Sequence, residues 1–438
     1  MSEKIKIALI GLGTVGTGVA RVILEESERL TRRCGKQIEL AKVVVRDKKR
    51  PRMIDLPEEI VTDSLQEVLD DKSISLAVQL IGGIHPAKEY MEQLLDSGKD
   101  VVSANKALLC EHGSELFSRA REQGRSIAFE AAVAGGIPII HVLNQAMSGN
   151  QITSIEAILN GTSNFILSEM FLGSRDYEDV LQEAQELGYA EADPTLDVDG
   201  TDAAQKLCLL TQLACGTKVS LDQFPRQGID TLALDDLLYA DELGYSVRLL
   251  AVTRISNNQL EMHVQPTLVQ LDKPLAQVNG AYNMIALEGD IVGKTWYSGL
   301  GAGQNPTASA VISDLVDTVA GRNKLIFPFM DLWDSQQPLE VLPAEKIRRR
   351  YYMRFNVLDQ PHVFAEMADI LGRNQISLAS IIQHETPETG ESNTDEQQVV
   401  PVVIMTHLTT EGQIQAADKE LSELKSLLPN RVIMPVLD

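Results

Sequence analysis

The first third of the chain alternates short apolar runs with amphipathic stretches. Lys4–Ile10, Ile38–Val45, Ser75–Ile81 and Lys99–Ser103 read as strands, and Thr14–Leu30, Glu89–Ser97 and Ala107–Gln123 as helices. Strand–helix alternation with continuously apolar strands predicts a parallel sheet covered on both faces. Gly98, Gly113 and Gly124 stand where helix ends or starts are expected. From about residue 141 to 325 the texture changes. Helix patterns over Asn164–Leu172, Tyr177–Leu187 and Thr201–Ala214 come before strand-like runs at Glu261–Gln265, Met284–Glu288 and Ile291–Tyr297. Leu332–Lys346, rich in Gln, Pro and Glu, reads as a linker. The remaining residues predict strand Arg349–Val357, helix Val363–Arg373, strands Ile376–His384 and Gln398–Leu408, helix Gly412–Leu428 and strand Val432–Val436. This βαββαβ order is the ferredoxin-like arrangement, with the polar Glu385–Gln397 expected as an exposed loop.

Composition narrows the function classes. The 438 residues are 44% hydrophobic and 23% charged, which excludes a mainly disordered chain. With 39 Lys+Arg against 62 Asp+Glu the net charge is −23. So acidic a surface argues against nucleic acid and anionic membranes as partners. The four cysteines (Cys34, Cys110, Cys208, Cys215) show no CxxC or Cys/His cluster, so neither a disulfide framework nor a zinc site is expected. No signal peptide and no membrane-length apolar run is present. The chain reads as cytoplasmic.

Gly11-Leu12-Gly13-Thr14-Val15-Gly16 fits GxGxxG and joins a buried strand to a helix. The first glycine permits the tight turn, the second the approach of a pyrophosphate, and the third close helix–strand contact, with the phosphate at the helix N-terminus. Residues 1–140 are therefore expected to form a Rossmann-type dinucleotide-binding domain. The second strand ends in Val45-Arg46-Asp47, followed by further cations. NAD binders usually place a carboxylate there, whereas a guanidinium suits a 2′-phosphate, so Arg46 favours NADP and Asp47 keeps NAD open.

Lys106 follows the strand ending Ser103-Ala104-Asn105, at the carboxyl end of the sheet, where such folds bind ligands. Gly188-Tyr189-Ala190-Glu191-Ala192-Asp193-Pro194 leads into Asp197, Asp199, Asp202 and Lys206. Asp202 and Lys206 share one helix face, and the following Leu207-Cys208-Leu209-Leu210 is apolar enough to be buried. Carboxylates and lysines at the mouth of a buried helix are candidates for proton transfer. The small-residue run Ala131–Pro138 reads as a tight turn at a domain junction. Gly299–Pro306 reads as a second close approach of backbone to a ligand.

These stretches together resemble homoserine dehydrogenase of the long, regulated type. The matching motifs are GLGTVG, IGG with PAKE, SANKALL, AAVAGGIPII, NGTSNF, GYAEADPTLDVDGTDAAQKL, GLGAGQNPTASAV and a final ACT-like segment. Residues 141–325 read as a separate α+β domain, which the resemblance implies is the substrate-binding, catalytic and dimerisation domain, followed by a linker at 326–347 and a regulatory ACT-like domain at 348–438. The resemblance also implies reversible NAD(P)H-dependent reduction of L-aspartate 4-semialdehyde to L-homoserine, in threonine, methionine and isoleucine biosynthesis. Lys206 corresponds to the family's catalytic lysine, Lys106 to its second active-site lysine, and Asp202 to a substrate-binding carboxylate. Glu191, with Gly188 just before it, falls at the carboxylate that grips the substrate's amino group; a substrate with ammonium and carboxylate could be met by Glu191 and Asp202 against Lys106 and Thr162. Gly303 matches a cofactor-contacting glycine and Lys106 lies near cofactor and substrate; with Gly11, Gly13, Thr14, Val15, Gly16 and Arg46, read above, they make the expected cofactor set. Glu130, with the carbonyls of Val133, Gly135 and Ile137, matches a structural Na+ site. A homodimer or homotetramer is expected, with threonine as the effector. Because the sequence opens on the first strand, no fused aspartokinase is expected ahead of it.

Two departures stand out. Gln79 replaces a carboxylate frequent in the family, and His362 stands in Leu358–Val363 where the family pattern has glycine, at the turn effectors approach. Two other readings compete: a dehydrogenase for a different small aldehyde, and a catalytically inert amino-acid sensor. Retention of Lys106 and Lys206 argues against the second.

Overall fold

The computed structural model describes residues 3–330, 338–384 and 398–437. The chain opens with β1 (Lys4–Ile10), α1 (Thr14–Glu25), α2 (Ser27–Cys34), β2 (Gln37–Val44), β3 (Val61–Thr62), α3 (Gln66–Asp70), β4 (Ile74–Gln79), α4 (Ala87–Asp96), β5 (Asp100–Ser103), α5 (Lys106–Glu122) and β6 (Ile127–Ala128). Its strands pair in parallel in the order β3-β2-β1-β4-β5-β6. This is the doubly wound order, whose direction reverses between β1 and β4, so ligands bind beyond the carboxyl ends of those strands. Ile7, Leu9, Val43, Val78 and Val102 fill the core, as their unbroken apolar runs predict. The single helix expected over Thr14–Leu30 is two helices. They break at Glu26, which leaves helical geometry (φ −113°, ψ 24°) within the like-charged run Glu25, Glu26 and Glu28.

Next come α6 (Ile139–His141), β7 (Ile152–Ile158), α7 (Gly161–Gly173), α8 (Tyr177–Glu186), α9 (Thr195–Val198), α10 (Thr201–Cys215), α11 (Leu234–Glu242), β8 (Tyr245–Ser256), β9 (Gln259–Gln270), β10 (Tyr282–Gly289), β11 (Gly293–Leu300), α12 (Gln304–Val319) and α13 (Arg322–Ile326). The C-terminal part holds β12 (Glu340–Val341), β13 (Arg348–Leu358), α14 (Val363–Arg373), β14 (Leu378–Ile382), β15 (Val399–Thr406), β16 (Thr409–Thr410), α15 (Glu411–Leu421) and β17 (Leu427–Leu437). The expected loop Glu385–Gln397 lies outside the described residues. Among the described residues no helix is long and apolar enough to cross a membrane, and all four cysteines are free thiols.

Two compact units emerge. One comprises Met1–Ile155, Asp202–Leu221 and Tyr282–Leu339; the other Glu156–Thr201, Asp222–Ala281 and Glu340–Asp438. In the first, α12 lies on α1, where a Cβ added to Gly18 would sit 2.9 Å from Gln304 Cγ and 3.1 Å from the Ala308 Cβ. Ala308, Val311, Ile312 and Leu315 of α12 complete the core of the parallel sheet.

In the second unit β8 and β9 form a long antiparallel hairpin. Beside it, β13 pairs antiparallel with both β15 and β17, and β14 closes the edge. Tyr351, Phe355, Met367, Leu371, Ile404 and Leu421 bury the α14/α15 face in an apolar core, as the βαββαβ pattern predicts. The end of β17 also pairs in parallel with β9, Val436 opposite Leu268 and Leu437 opposite Val269. The βαββαβ segment thus shares one sheet with the central hairpin, an addition that no local periodicity announces. A buried ion pair supports it. Arg354 of β13 donates from Nε and Nη2 to Asp236 of α11 at 2.6 and 2.8 Å, and the Tyr352 hydroxyl donates to the same carboxylate at 3.1 Å.

Candidate active site

The glycine-rich turn after β1 is built to keep side chains out. Gly11 has φ +99°, and a Cβ there would lie 2.9 Å from the Leu80 carbonyl oxygen; a Cβ on Gly16 would lie 2.2 Å from the Gly11 carbonyl oxygen. Gly13, by contrast, meets nothing within 4 Å and caps the N-terminus of α1. That open space at the helix N-terminus, with Thr14 and Val15 opening α1, fits a pyrophosphate-binding turn. The second glycine run comes to the same place: Gln304 Nε2 donates to the Thr14 carbonyl at 2.9 Å, and Gly303 caps α12 with φ +111°. The Ala131–Pro138 turn joins them, with Gly136 N donating to Leu300 O at 3.0 Å and a Cβ on Gly135 only 2.5 Å from Gly301 O. Three small-residue motifs far apart in sequence thus share one site.

Arg46 is exposed just beyond β2. Asp47 is exposed too, and its Oδ1 accepts the Lys49 amide at 2.8 Å, so it braces its own loop. Gln79 is fully buried at the end of β4. Its Nε2 donates to Ala87 O at 2.6 Å and its Oε1 accepts the Ser103 hydroxyl at 3.4 Å. The donated bond needs an amide, which a carboxylate cannot replace.

Asn105 caps α5 through Leu108 N at 3.1 Å and donates to Ile81 O and Gly83 O, fixing where Lys106 begins. Lys106 Nζ lies 3.1 Å from Asp202 Oδ1, while Lys206 Nζ donates to Asp202 Oδ2 at 2.6 Å. Asp202 and Lys206 are only 6% and 8% exposed, and Leu207 to Leu210 behind them are buried as expected. Lys106 and Lys206 thus meet the same carboxylate, Lys206 buried with it and Lys106 partly exposed. Such an arrangement suits a developing oxyanion or a substrate carboxylate.

The other acidic residues of that run are caps and braces. Asp193 Oδ1 accepts from Thr195 N and its hydroxyl, Asp197 Oδ1 accepts Asn160 Nδ2 at 2.8 Å, and Asp199 Oδ1 accepts Thr201 N at 2.8 Å. Glu191 is exposed in the turn after Gly188, which takes φ +76°. The Thr162 hydroxyl donates to Tyr189 O at 2.7 Å, tying the start of α7 to that turn. Thr162, Gly188 and Glu191 all belong to the second unit.

Glu130 carries a feature the sequence did not announce. Its carboxylate accepts the amides of Ile140 and His141, each at 2.9 Å, and also the His141 ring. The other ring nitrogen of His141 meets Asp317 at 2.9 Å. Bonds to Asp317 and Glu130 push the His141 pKa up to about 10. Asp314, fully buried and accepting Glu130 N at 2.8 Å, has its carboxyl raised well above the usual range by burial and by Glu130. No spacing pattern links these residues, which is why sequence reasoning missed His141. The following turn places Ala134 and Gly135 at φ +53° and +49°, and the Ile137 carbonyl accepts Ile139 N. The oxygens expected for Na+ (the Glu130 carboxylate and the carbonyls of Val133, Gly135 and Ile137) are of the kind a hard cation takes, and those of Glu130 and Ile137 already accept hydrogen bonds here. A cation there would share Glu130 with His141.

Three family models match the chain: "Homoserine dehydrogenase, NAD binding domain" over residues 11–130, "Homoserine dehydrogenase" over 138–316 and "ACT domain" over 351–426. A homoserine dehydrogenase of Pseudomonas aeruginosa is 41% identical over 432 residues, covering 97% of each chain. The crystal structure of a homoserine dehydrogenase from Thiobacillus denitrificans matches with a TM-score of 0.89 at 38% identity, covering 100% of both chains. A hyperthermophilic archaeal homoserine dehydrogenase in complex with NADPH matches with a TM-score of 0.61 at 28% identity, covering 72% of this chain and 97% of its own.

Proposed function

Because the chain belongs to the homoserine dehydrogenase family, NAD(P)-dependent oxidoreductases, we propose that Lys106, Asp202 and Lys206 are its catalytic centre for interconverting L-aspartate 4-semialdehyde and L-homoserine. The observation that carries this reading is the Lys106–Asp202–Lys206 cluster, in which both lysines meet the Asp202 carboxylate. Lys206 Nζ donates the proton to the aldehyde oxygen as it becomes a hydroxyl, and returns as base in the reverse direction. Asp202 orients that ammonium, and Lys106 stabilises negative charge on the substrate. Glu191, Gly188 and Thr162 bind the amino-acid end. This is a stronger reading than an inert sensor, which has no use for two lysines on one buried carboxylate.

The nicotinamide cofactor supplies or accepts the hydride when bound. Gly11, Gly13, Thr14, Val15, Gly16 and Gly303 would hold it, with Lys106 nearby and Arg46 reading a 2′-phosphate, so NADP is the preferred form and NAD the weaker one. Na+ at Glu130, Val133, Gly135 and Ile137 would be structural, and thermal stability higher in sodium than in choline chloride would support it. The chain works in the cytoplasm as a homodimer or homotetramer, with threonine acting on the ACT segment.

The cofactor and substrate claims are tested together by steady-state reduction of L-aspartate 4-semialdehyde with NADPH and NADH. Arg46→Ala should lower kcat/KM for NADPH by about tenfold or more while leaving NADH nearly unchanged, as loss of one charged phosphate contact implies. An equal fall for both would remove Arg46 from cofactor selection. No turnover of the semialdehyde with either would overturn the proposed reaction.

A further inference from the structure

Cys110 and Cys208 lie on the two helices that carry the lysine cluster. Lys106 and Cys110 are four residues apart on α5, hence on one face, and Cys208 follows Lys206 closely on α10. Because the Asp202 carboxylate meets both lysines, the opening turns of α5 and α10 stand together within the first unit. Beyond that ion pair the Cys208 thiol donates to Cys110 Sγ. The other two cysteines turn to backbone instead. Cys34 donates to Leu30 O at 3.2 Å and Lys36 O at 3.1 Å, and Cys215 to Thr211 O at 3.0 Å.

The two facing sulfurs are unequal. Cys110 is half-buried, whereas Cys208 is 3% exposed. The bond from Cys208 holds the Cys110 thiol below its ordinary value, helped by the charge of Lys218 and opposed by burial. The same bond and burial push Cys208 up. The thiolate is the reactive form of a cysteine, so Cys110 is the nucleophile of the pair and also the sulfur that solvent reaches. Cys208 stands behind it as a resolving thiol. The proposed reaction uses neither sulfur.

We propose that Cys110 and Cys208 are a peroxide-sensitive dithiol, whose disulfide ties α5 to α10 and displaces the lysines those helices carry. Cys110 Sγ attacks one oxygen of hydrogen peroxide and the O–O bond breaks. The sulfur becomes a sulfenic acid, and the other oxygen leaves as water with the thiol proton. Cys208 Sγ then attacks the sulfenic sulfur. An S–S bond forms, the S–O bond breaks, and the hydroxyl leaves as a second water with the Cys208 proton. Both thiols are oxidised and the peroxide is reduced. Closing the sulfurs to a bond of about 2.05 Å must draw on the helix segments that hold Lys106 and Lys206. A misplacement of about 1 Å costs about 10²-fold in rate when it falls on reacting groups. That effect on turnover rests on the roles proposed for the two lysines; the bond itself does not.

The test treats the full chain, reduced and then freed of reductant, with hydrogen peroxide, followed by alkylation, digestion and mass spectrometry. A crosslinked Cys110–Cys208 peptide is expected, with Cys34 and Cys215 still alkylated. Oxidation of L-homoserine with NADP should fall by about tenfold or more and recover after dithiothreitol. Cys110→Ser and Cys208→Ala should each keep the basal rate and lose the reversible inhibition; if the buried Cys208→Ala does not fold, the half-buried Cys110→Ser still decides. A map without this crosslink, sulfinic acid at Cys110 in its place, a crosslinked chain with unchanged turnover, or equal reversible inhibition of Cys110→Ser would each overturn the proposal. Absence of turnover before treatment would count against the proposed reaction instead, and the peptide map would still decide on the bond.

Discussion

Two residues that depart from the family pattern have physical consequences of their own. Gln79 is buried between a carbonyl it donates to and a hydroxyl it accepts from. Gln79→Glu would turn the donating amide into an acceptor facing Ala87 O. It should therefore destabilise the fold by about 1–3 kcal/mol, the cost of an unsatisfied buried group, and urea denaturation will register this as a lower midpoint with an unchanged slope. His362 holds φ +78° at the N-cap of α14, a left-handed backbone that suits glycine. The sequence departure at this position thus coincides with a strained conformation. His362→Gly should relieve roughly 1 kcal/mol of strain, partly offset by the greater freedom of the unfolded chain. A small rise in Tm is expected, and a fall would show that the imidazole makes a compensating contact. The acidic run teaches a related lesson. Asp193, Asp197, Asp199 and Asp202 look alike in sequence, yet the first three serve caps and braces while Asp202 meets two lysines. Composition could mark the region as chemically rich, but only geometry separates a cap from a carboxylate that meets two lysines. His141 and its bond to Glu130 were illegible for the same reason, because that bond follows no helix or strand spacing.

At the scale of elements, legibility depended on whether local pattern and final environment agreed. β1, β4 and the motif that follows β1 could be read because a buried parallel strand is continuously apolar and the turn needs its glycines. β8 escaped because Tyr245–Ser256 is buried on both faces over most of its length, so it lacks the alternation that identifies a strand. α11 escaped with it, being short and rich in carboxylates. The glycines of the cofactor turn allow a sharper prediction. Gly16→Ala forces a Cβ against the Gly11 carbonyl oxygen, so both Tm and cofactor affinity should fall. Gly13→Ala meets no protein atom, so Tm should hold while the KM for NADP rises about tenfold or more, through lost approach of the backbone to the phosphates. Thermal melts beside cofactor titrations will separate the two; a Gly13→Ala protein with normal cofactor affinity would contradict the assigned role of this turn.

For the whole molecule, the ACT segment is bound into the sheet of the second unit through the β17–β9 pairing and the Arg354–Asp236 ion pair. Removing residues 348–438 would uncover the edge of β9 and leave Asp236 buried without its arginine. Unpaired edges invite association, and breaking a buried pair from one side costs about 3–5 kcal/mol. The truncated chain should therefore aggregate or elute at an increased mass in size-exclusion chromatography. A monodisperse, fully active truncation would show that the two parts fold independently. The order of the folding pattern was visible in the sequence, but this fusion was not, since strand order between distant segments leaves no periodic trace.

Lys206, held by Asp202 beside Lys106, is proposed to move the proton for homoserine–semialdehyde interconversion. The most direct measurement follows absorbance of the reduced nicotinamide during oxidation of L-homoserine with NADP, for the wild-type chain and Lys206→Ala, with cofactor binding and Tm recorded on both. Turnover by the wild type is expected, with a loss of about 10²–10⁴-fold in kcat for Lys206→Ala, as for removal of a general acid–base group, and with cofactor affinity and Tm retained. Turnover that survives the substitution within a few-fold would contradict it.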